Sequence, residues 1–279
     1  MHDGSVKACF DKKIGNVKLA WPVKASFDAP KIGHCVTSVN TLEFDVMTLT
    51  QDEISAVVLS IKVATWATLL SCPFAIAIGW VLARKKFPGK PIVDALIHLP
   101  LVLPPVVPGY LLLLLFGNQG VIGHWLNELG ISFMFNWKGA ALASAVMSFP
   151  LIVRSVRLSM SLIDPRLEGA ASTLGAAPLA VFFSVTLPLA LPGIFAGLIL
   201  GFSRCLGEFG ATITFVGNIA GETRTLPLAI YTASHVPDGD AEALRLIVLS
   251  IVISLSALFF SDLLTRRVEG HLGLRATDA

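Results

Sequence analysis

The sequence predicts an all-α integral membrane protein with five, or at most six, spanning helices. Three observations carry this. Hydrophobic residues make up 54% of the 279 and charged residues only 14%, with a mean hydropathy of +0.74. A soluble domain carries about 25% charged residues. Lys and Arg are gathered into short stretches between apolar runs of about 20 residues, the length that crosses a bilayer core. Several of those runs contain proline, which a spanning helix tolerates only where neighbouring helices or a wet cavity re-satisfy the freed carbonyls.

Five runs qualify. Residues 54–83 are apolar except for Lys62 near the start and are interrupted by Pro73, and residues 92–116 hold Pro100, Pro104, Pro105 and Pro108. The others are 139–160, 189–209 and 244–264. The second run, with four prolines, must be packed inside a bundle and is no lone anchor. Basic loops fix the orientation. Arg84, Lys85, Lys86 and Lys90 follow the first run; Arg154, Arg157 and Arg166 surround the end of the third; Arg266, Arg267 and Arg275 follow the fifth. In the alternate loops, residues 118–137 hold no Lys or Arg and residues 210–243 hold only Arg224. The basic loops are expected on the cytoplasmic side, which puts the N-terminus outside and the C-terminus inside.

The first 46 residues are different. They carry six lysines (Lys7, Lys12, Lys13, Lys18, Lys24, Lys31) and no apolar run of signal-peptide length. That charge sits poorly with an outside location, and Met47 stands directly before the membrane-like sequence. The tail at 1–46 is expected either to be a hydrophilic extension or to result from a start assigned upstream of Met47, and the charge conflict favours the second. The spanning domain is expected over 47–268, with a cytoplasmic tail at 269–279.

Several functions are excluded. A formal charge of +2 is too small and scattered for nucleic-acid binding. Cys9, Cys35, Cys72 and Cys205 form no CxxC pair and no metal-ligand spacing, so neither a metal nor a redox site is expected. No GxxxxGK[ST] phosphate loop, HExxH or nucleophile elbow is present, so the chain is not expected to hydrolyse ATP or do covalent chemistry. No cofactor of its own is expected.

The loop after the third run opens at Asp164 and Pro165, an N-cap and a first helical residue, and reaches Gly175, suited to the left-handed residue that ends a helix. A helix of about ten residues is predicted there, small on one side at Ala170 and Ala171, with a restart at Pro178. Such a helix can lie in a cleft of another protein; the alternative is an ordinary surface loop. In this segment the chain resembles the permease subunits of ATP-binding-cassette importers, whose loop pattern is EAA-x3-G-x9-I-x-LP. Gly169, Ala170, Ala171, Gly175, Val185, Leu187 and Pro188 fall on that pattern, while Glu168 stands one residue before the family's Glu position. Residues 98–110, the Leu-Gly-Glu-Phe-Gly-Ala-Thr stretch at 206–212 and the Gly-Glu-Thr-Arg-Thr-Leu-Pro at 221–227 resemble the molybdate permease branch, close to the sulfate and tungstate permeases. The resemblance begins at Met47.

The resemblance implies the type I importer permease fold, a homodimer around a central route, and a coupling helix that docks on cytoplasmic ATPase subunits. ATP is then used by that partner, and an extracytoplasmic molybdate-binding protein delivers the anion. Tungstate or sulfate stays open as the cargo because the branches share the Gly-Glu-Phe-Gly core. Broken helices also mark secondary transporters, but such folds show two matching halves and none is visible.

Among polar residues in the apolar runs, Lys62 is expected to snorkel to the outer interface. His98 is expected to bond a carbonyl freed by proline. Arg204 and Glu208, four apart in the fourth run, are the notable pair, because charges inside a span are functional by default. With Gly207, Thr212 and Thr214 they form the candidate translocation route; the alternative for the charged pair is an ion pair that holds helices together.

Overall fold

The computed structural model describes residues 49–271 except positions 131 and 238, and every regular element among them is helical. The tail at 1–46 and Met47 lie outside the described residues, as do residues 272–279 of the C-terminal tail. Helices α1 (Gln51–Arg84), α2 (Lys90–Val102), α3 (Val106–Phe116), α4 (Val121–Glu128) and α5 (Trp137–Leu162) come first. Then α6 (Pro165–Thr173) leads to α7 (Pro178–Val181), a π-helical turn (Phe182–Thr186) and α8 (Leu187–Leu206). The chain finishes with α9 (Gly210–Val216), α10 (Leu226–Ala233) and α11 (Asp240–His271).

Among the described residues, four helical stretches are long and apolar enough to cross a membrane: α1, α5, α7 through α8, and Asp240–Phe259 of α11. The α2–α3 pair makes a fifth if it counts as one span. The run expected at 92–116 is corrected from one segment to two helices, since α2 and α3 meet at 110°. The cause is local. Leu103 precedes a proline and takes the extended conformation that proline imposes (φ −71°, ψ 145°). Pro104 and Pro105 then remove two consecutive donors, and α3 can begin only after them. The run expected at 189–209 is corrected too. Its helix starts at Pro178 and stops at Leu206, with Gly207 as the terminating residue.

The central packing is α5 against α1 on one side and α8 on the other. Gly193, Gly197 and Gly201, four apart on α8, let the backbones approach closely, as small residues do between spanning helices. A Cβ on Gly197 would stand 2.8 Å from Cβ of Ser155, and one on Gly201 would stand 2.6 Å from Cγ1 of Ile152. Two α5 hydroxyls seal the contact, Ser155 donating to the Gly193 carbonyl at 2.8 Å and Ser159 to that of Ala190 at 3.2 Å. Around them Val153, Val156, Met160 and Ile194 are buried.

Polar contacts tie the ends where α1 begins. Thr50 and Glu53 form a capping box, and the buried Glu53 accepts from Arg245 Nε of α11 at 3.0 Å. The Leu226 amide that opens α10 donates to Ser60 Oγ of α1 at 2.6 Å. Lys62 places its Nζ 3.9 Å from the ring centroid of Trp137, where the aromatic face attracts the cation. Helix α2 buries none of its residues.

Candidate coupling loop and translocation route

The loop after α5 folds as its sequence predicts. The Asp164 carboxylate accepts the Arg166 amide at 2.9 Å, Pro165 opens α6, and Gly175 ends the segment at φ +86°. Helix α6 buries no residue. Leu167 within it and Leu174 and Leu179 just after it are exposed, Leu174 by 90%. Ala170 is exposed and Ala171 half-buried.

Glu168, one place before the family's Glu position, is the anchor of this loop. Its Oε1 accepts from Arg84 Nε at 3.0 Å, at the end of α1, and from Thr186 Oγ1 at 2.7 Å, in the π turn. Arg84 also donates to the Ile163 carbonyl at 3.2 Å. One carboxylate thereby joins α6 to the ends of α1 and α8. Sequence reasoning did not foresee Arg84 and Thr186; their only signal is a basic residue at a helix end and a threonine next to the Leu-Pro that opens α8. Val185 lies in the π turn, and Leu187 and Pro188 are the first residues of α8.

The other signatures meet at the far end of α8. The helix stops at Leu206, and Glu208 turns back to cap the next one, its Oε1 accepting the Ala211 amide of α9 at 2.9 Å. The start of α9 lies on the α2–α3 break: a Cβ on Gly210 would stand 2.7 Å from Cβ of Pro105, and one on Gly109 would stand 2.7 Å from the Ala211 carbonyl oxygen. Two distant sequence stretches, 98–110 and 206–215, thus place their helix breaks against each other. The 221–227 stretch forms the turn into α10, with Thr223 Oγ1 accepting the Ile219 amide at 2.9 Å and Arg224 donating to Asn218 at 3.0 Å.

Arg204 and Glu208 form an ion pair, Nη1 to Oε2 at 2.6 Å, with the arginine side chain 28% exposed and the carboxylate 1%. They are not on one continuous helix as expected, because Gly207 separates them. Gly207 is exposed and borders a cavity of about 100 Å³ shared with Ser60, Ser203, Ser250 and Ser254. Thr212 is buried with an unpartnered hydroxyl, and Thr214 bonds back to the Gly210 carbonyl at 2.7 Å. The coupling residues and the candidate route residues are therefore not brought together. They occupy opposite ends of α8, which at 1.5 Å per residue is about 30 Å long. His98 Nδ1 lies 2.8 Å from the Asp94 carbonyl, one turn back and ahead of the prolines.

A bundle of broken and intact spans with an exposed helical loop defines a polytopic membrane component of a transport system. Residues 75–270 match the family of binding-protein-dependent transport system inner membrane components, and the chain belongs to it. It is 55% identical over 222 residues to the molybdenum transport system permease protein ModB of Haemophilus influenzae, covering 79% of this chain and 97% of that protein. The Escherichia coli K12 ModB is 55% identical over 221 residues, covering 79% and 96%. The sulfate transport system permease protein CysT of E. coli K12 is 37% identical over 208 residues, covering 74% and 75%. In fold the chain resembles a bacterial alginate ABC transporter (TM-score 0.64, 18% identity, 82% of this chain and 83% of that one). It also resembles the MetNI methionine ABC transporter (TM-score 0.62, 17% identity, 79% and 99%).

Proposed function

We propose that this chain is the permease subunit of an ATP-driven importer of molybdate, and that it works as a homodimer in the inner membrane. The observation that carries the cargo is the 55% identity to ModB proteins over nearly their whole length, against 37% to a sulfate permease. Cytoplasmic ATPase subunits hydrolyse the ATP, and an extracytoplasmic binding protein delivers the anion. The N-terminal end of α1 faces outward, so that Arg84, α6 and the base of α8 lie at the cytoplasmic face, in keeping with the basic loops.

Helix α6 is the coupling helix. Its lack of buried residues and the exposed Leu167, Leu174 and Leu179 supply an apolar surface for the ATPase. Through Glu168, a displacement of α6 reaches Arg84 and Thr186 directly, and α8 carries it to the paired breaks at Pro105 and Gly210. Those breaks are the gate, since irregular backbone at membrane depth is held where it is buried in protein or lines a cavity. The chain does no covalent chemistry and holds no cofactor.

Uptake of labelled molybdate by cells that depend on this importer, with sulfate and tungstate as competitors, tests the cargo. Excess sulfate should leave molybdate uptake largely intact. Sulfate uptake that excess molybdate does not suppress would move the chain to the sulfate branch.

A further inference from the structure

A second polar feature lies next to the coupling joint but is lined by other residues. Between α1, α2 and α5 an open cavity of about 640 Å³ is lined by Lys90, Asp94, His98, Arg154, Arg157 and Ser161. Its charges do not balance. The only carboxylate, Asp94, is 2.5 Å from Arg157 Nη1. The neighbouring Arg84 is committed to Glu168. Arg154 makes no hydrogen bond or ion pair among the described residues, and Lys90 Nζ reaches only the Lys85 carbonyl at 3.4 Å. Two cations are in surplus.

Their depth sharpens the point. On the orientation given above, Arg154 stands eight residues, about 12 Å, inward of the cytoplasmic end of α5 at Leu162. A cation at that depth is costly without an anion. Leu158 in its lining is 61% exposed, and Ile92 and Leu162, near the lining residues in sequence, are exposed by 66% and 77%. The same three helices bound a further cavity of about 720 Å³, nearer the start of α5 and lined mainly by apolar side chains such as Leu70, Phe74, Leu96, Leu142 and Phe149. A basic end beside the cytoplasm with apolar surface deeper in the bilayer is the profile of an anionic phospholipid, and basic pockets between spanning helices on this side suit such headgroups.

We propose that this cavity binds the phosphate headgroup of an anionic lipid from the cytoplasmic leaflet, a step that rests on the orientation given above. The test needs no transport: native mass spectrometry of the full-length chain in detergent, titrated with phosphatidylglycerol or phosphatidylcholine of matched acyl chains. Phosphatidylglycerol should be retained preferentially. The double variant Lys90→Gln with Arg154→Gln should bind it roughly thirtyfold more weakly, at about a fivefold loss per cation, and phosphatidylcholine equally well. Arg154→Lys should keep the preference, which separates lost charge from misfolding. Equal retention of both lipids, or an unchanged preference in the double variant, overturns the proposal. Displacement of phosphatidylglycerol by millimolar molybdate or inorganic phosphate would give the cavity to a free anion instead. Dissociation of the dimer in the double variant would give the cations to a second copy, and it too overturns the proposal. Cysteine labelling of Lys86 and Asn118 tests the orientation separately.

Discussion

Gly210 lies against Pro105 with so little room that a Cβ on the glycine would stand 2.7 Å from that of the proline. The contact joins the break between α2 and α3 to the break between α8 and α9, so each irregular stretch covers the other. Gly109 repeats the arrangement one turn along, against backbone of Ala211.

Close approach at these two glycines predicts that added methyl groups are costly there and harmless nearby. Gly109→Ala meets a carbonyl oxygen that cannot move aside and should destabilise the chain by about 1–3 kcal/mol. Gly210→Ala should do the same to a smaller degree, because its Cβ meets one ring carbon of Pro105 at 2.7 Å where that of Gly109 meets three atoms within 3.0 Å. Gly207→Ala has open space around the new Cβ and should melt like the parent. Thermal unfolding in detergent orders the three; a Gly109→Ala protein as stable as Gly207→Ala would refute the close packing.

The ion pair of Arg204 and Glu208 is more than a pair. Glu208 also caps α9 through the Ala211 amide, so Glu208→Ala removes a partner and a cap together. Breaking a buried pair from one side costs about 3–5 kcal/mol. Glu208→Gln keeps an acceptor for the amide and should cost less. Arg204→Gln strands a buried carboxylate, and adding Glu208→Gln should recover part of the loss. A double-mutant cycle scored for stability and uptake checks this. If Arg204→Gln lost uptake at unchanged stability, the arginine would serve the route and not the scaffold.

Glu168 is predicted to transmit, not merely to stabilise. Glu168→Ala severs α6 from Arg84 and Thr186 while leaving Asp164 to cap the helix. The chain should insert and dimerise normally, with molybdate uptake reduced about tenfold or more if the coupling depends on this joint, a loss equivalent to about 1.4 kcal/mol. Thr186→Val, which removes one of the two contacts, should show a milder defect. Parental uptake in both variants would leave the transmission role without support.

Topology gives a prediction independent of cargo. In a background lacking native cysteines, Lys86→Cys should react with an impermeant reagent only from the cytoplasmic face, and Asn118→Cys only from the outer face. The α2–α3 pair lies between them and, as a single broken span, crosses the bilayer once. Labelling of both from one face would make that pair a re-entrant loop.

The spans and the coupling loop were legible in the sequence because they rest on local signals. Asp164, Pro165 and Gly175 each act through their own backbone geometry, so their caps could be read directly. The breaks were not legible in the same way. Residues 92–116 are apolar throughout, and hydropathy hides the corner at Leu103; the Pro104–Pro105 pair was the available sign. The Gly-Glu-Phe-Gly stretch reads as more span, and only the side chain of Glu208 folding back to Ala211 reveals a new helix. Helices α4, α9 and α10 span 7–8 residues each, too short for periodicity to register. The partners of Glu168 come from residues 84 and 186, a long-range juxtaposition that spacing alone does not encode.

On the proposed function, ATP drives molybdate through this chain by way of the loop that ends at Gly175. The most direct test measures ATP hydrolysis and labelled-molybdate uptake in the same proteoliposomes, holding the whole importer with its binding protein. In the parental importer uptake should require ATP and rise with hydrolysis. Gly175→Val forces a β-branched residue to φ +86°, a conformation open to glycine and strained for valine, and should abolish uptake while the protein stays in the membrane. Uptake without ATP, or undiminished uptake in Gly175→Val, would contradict the account.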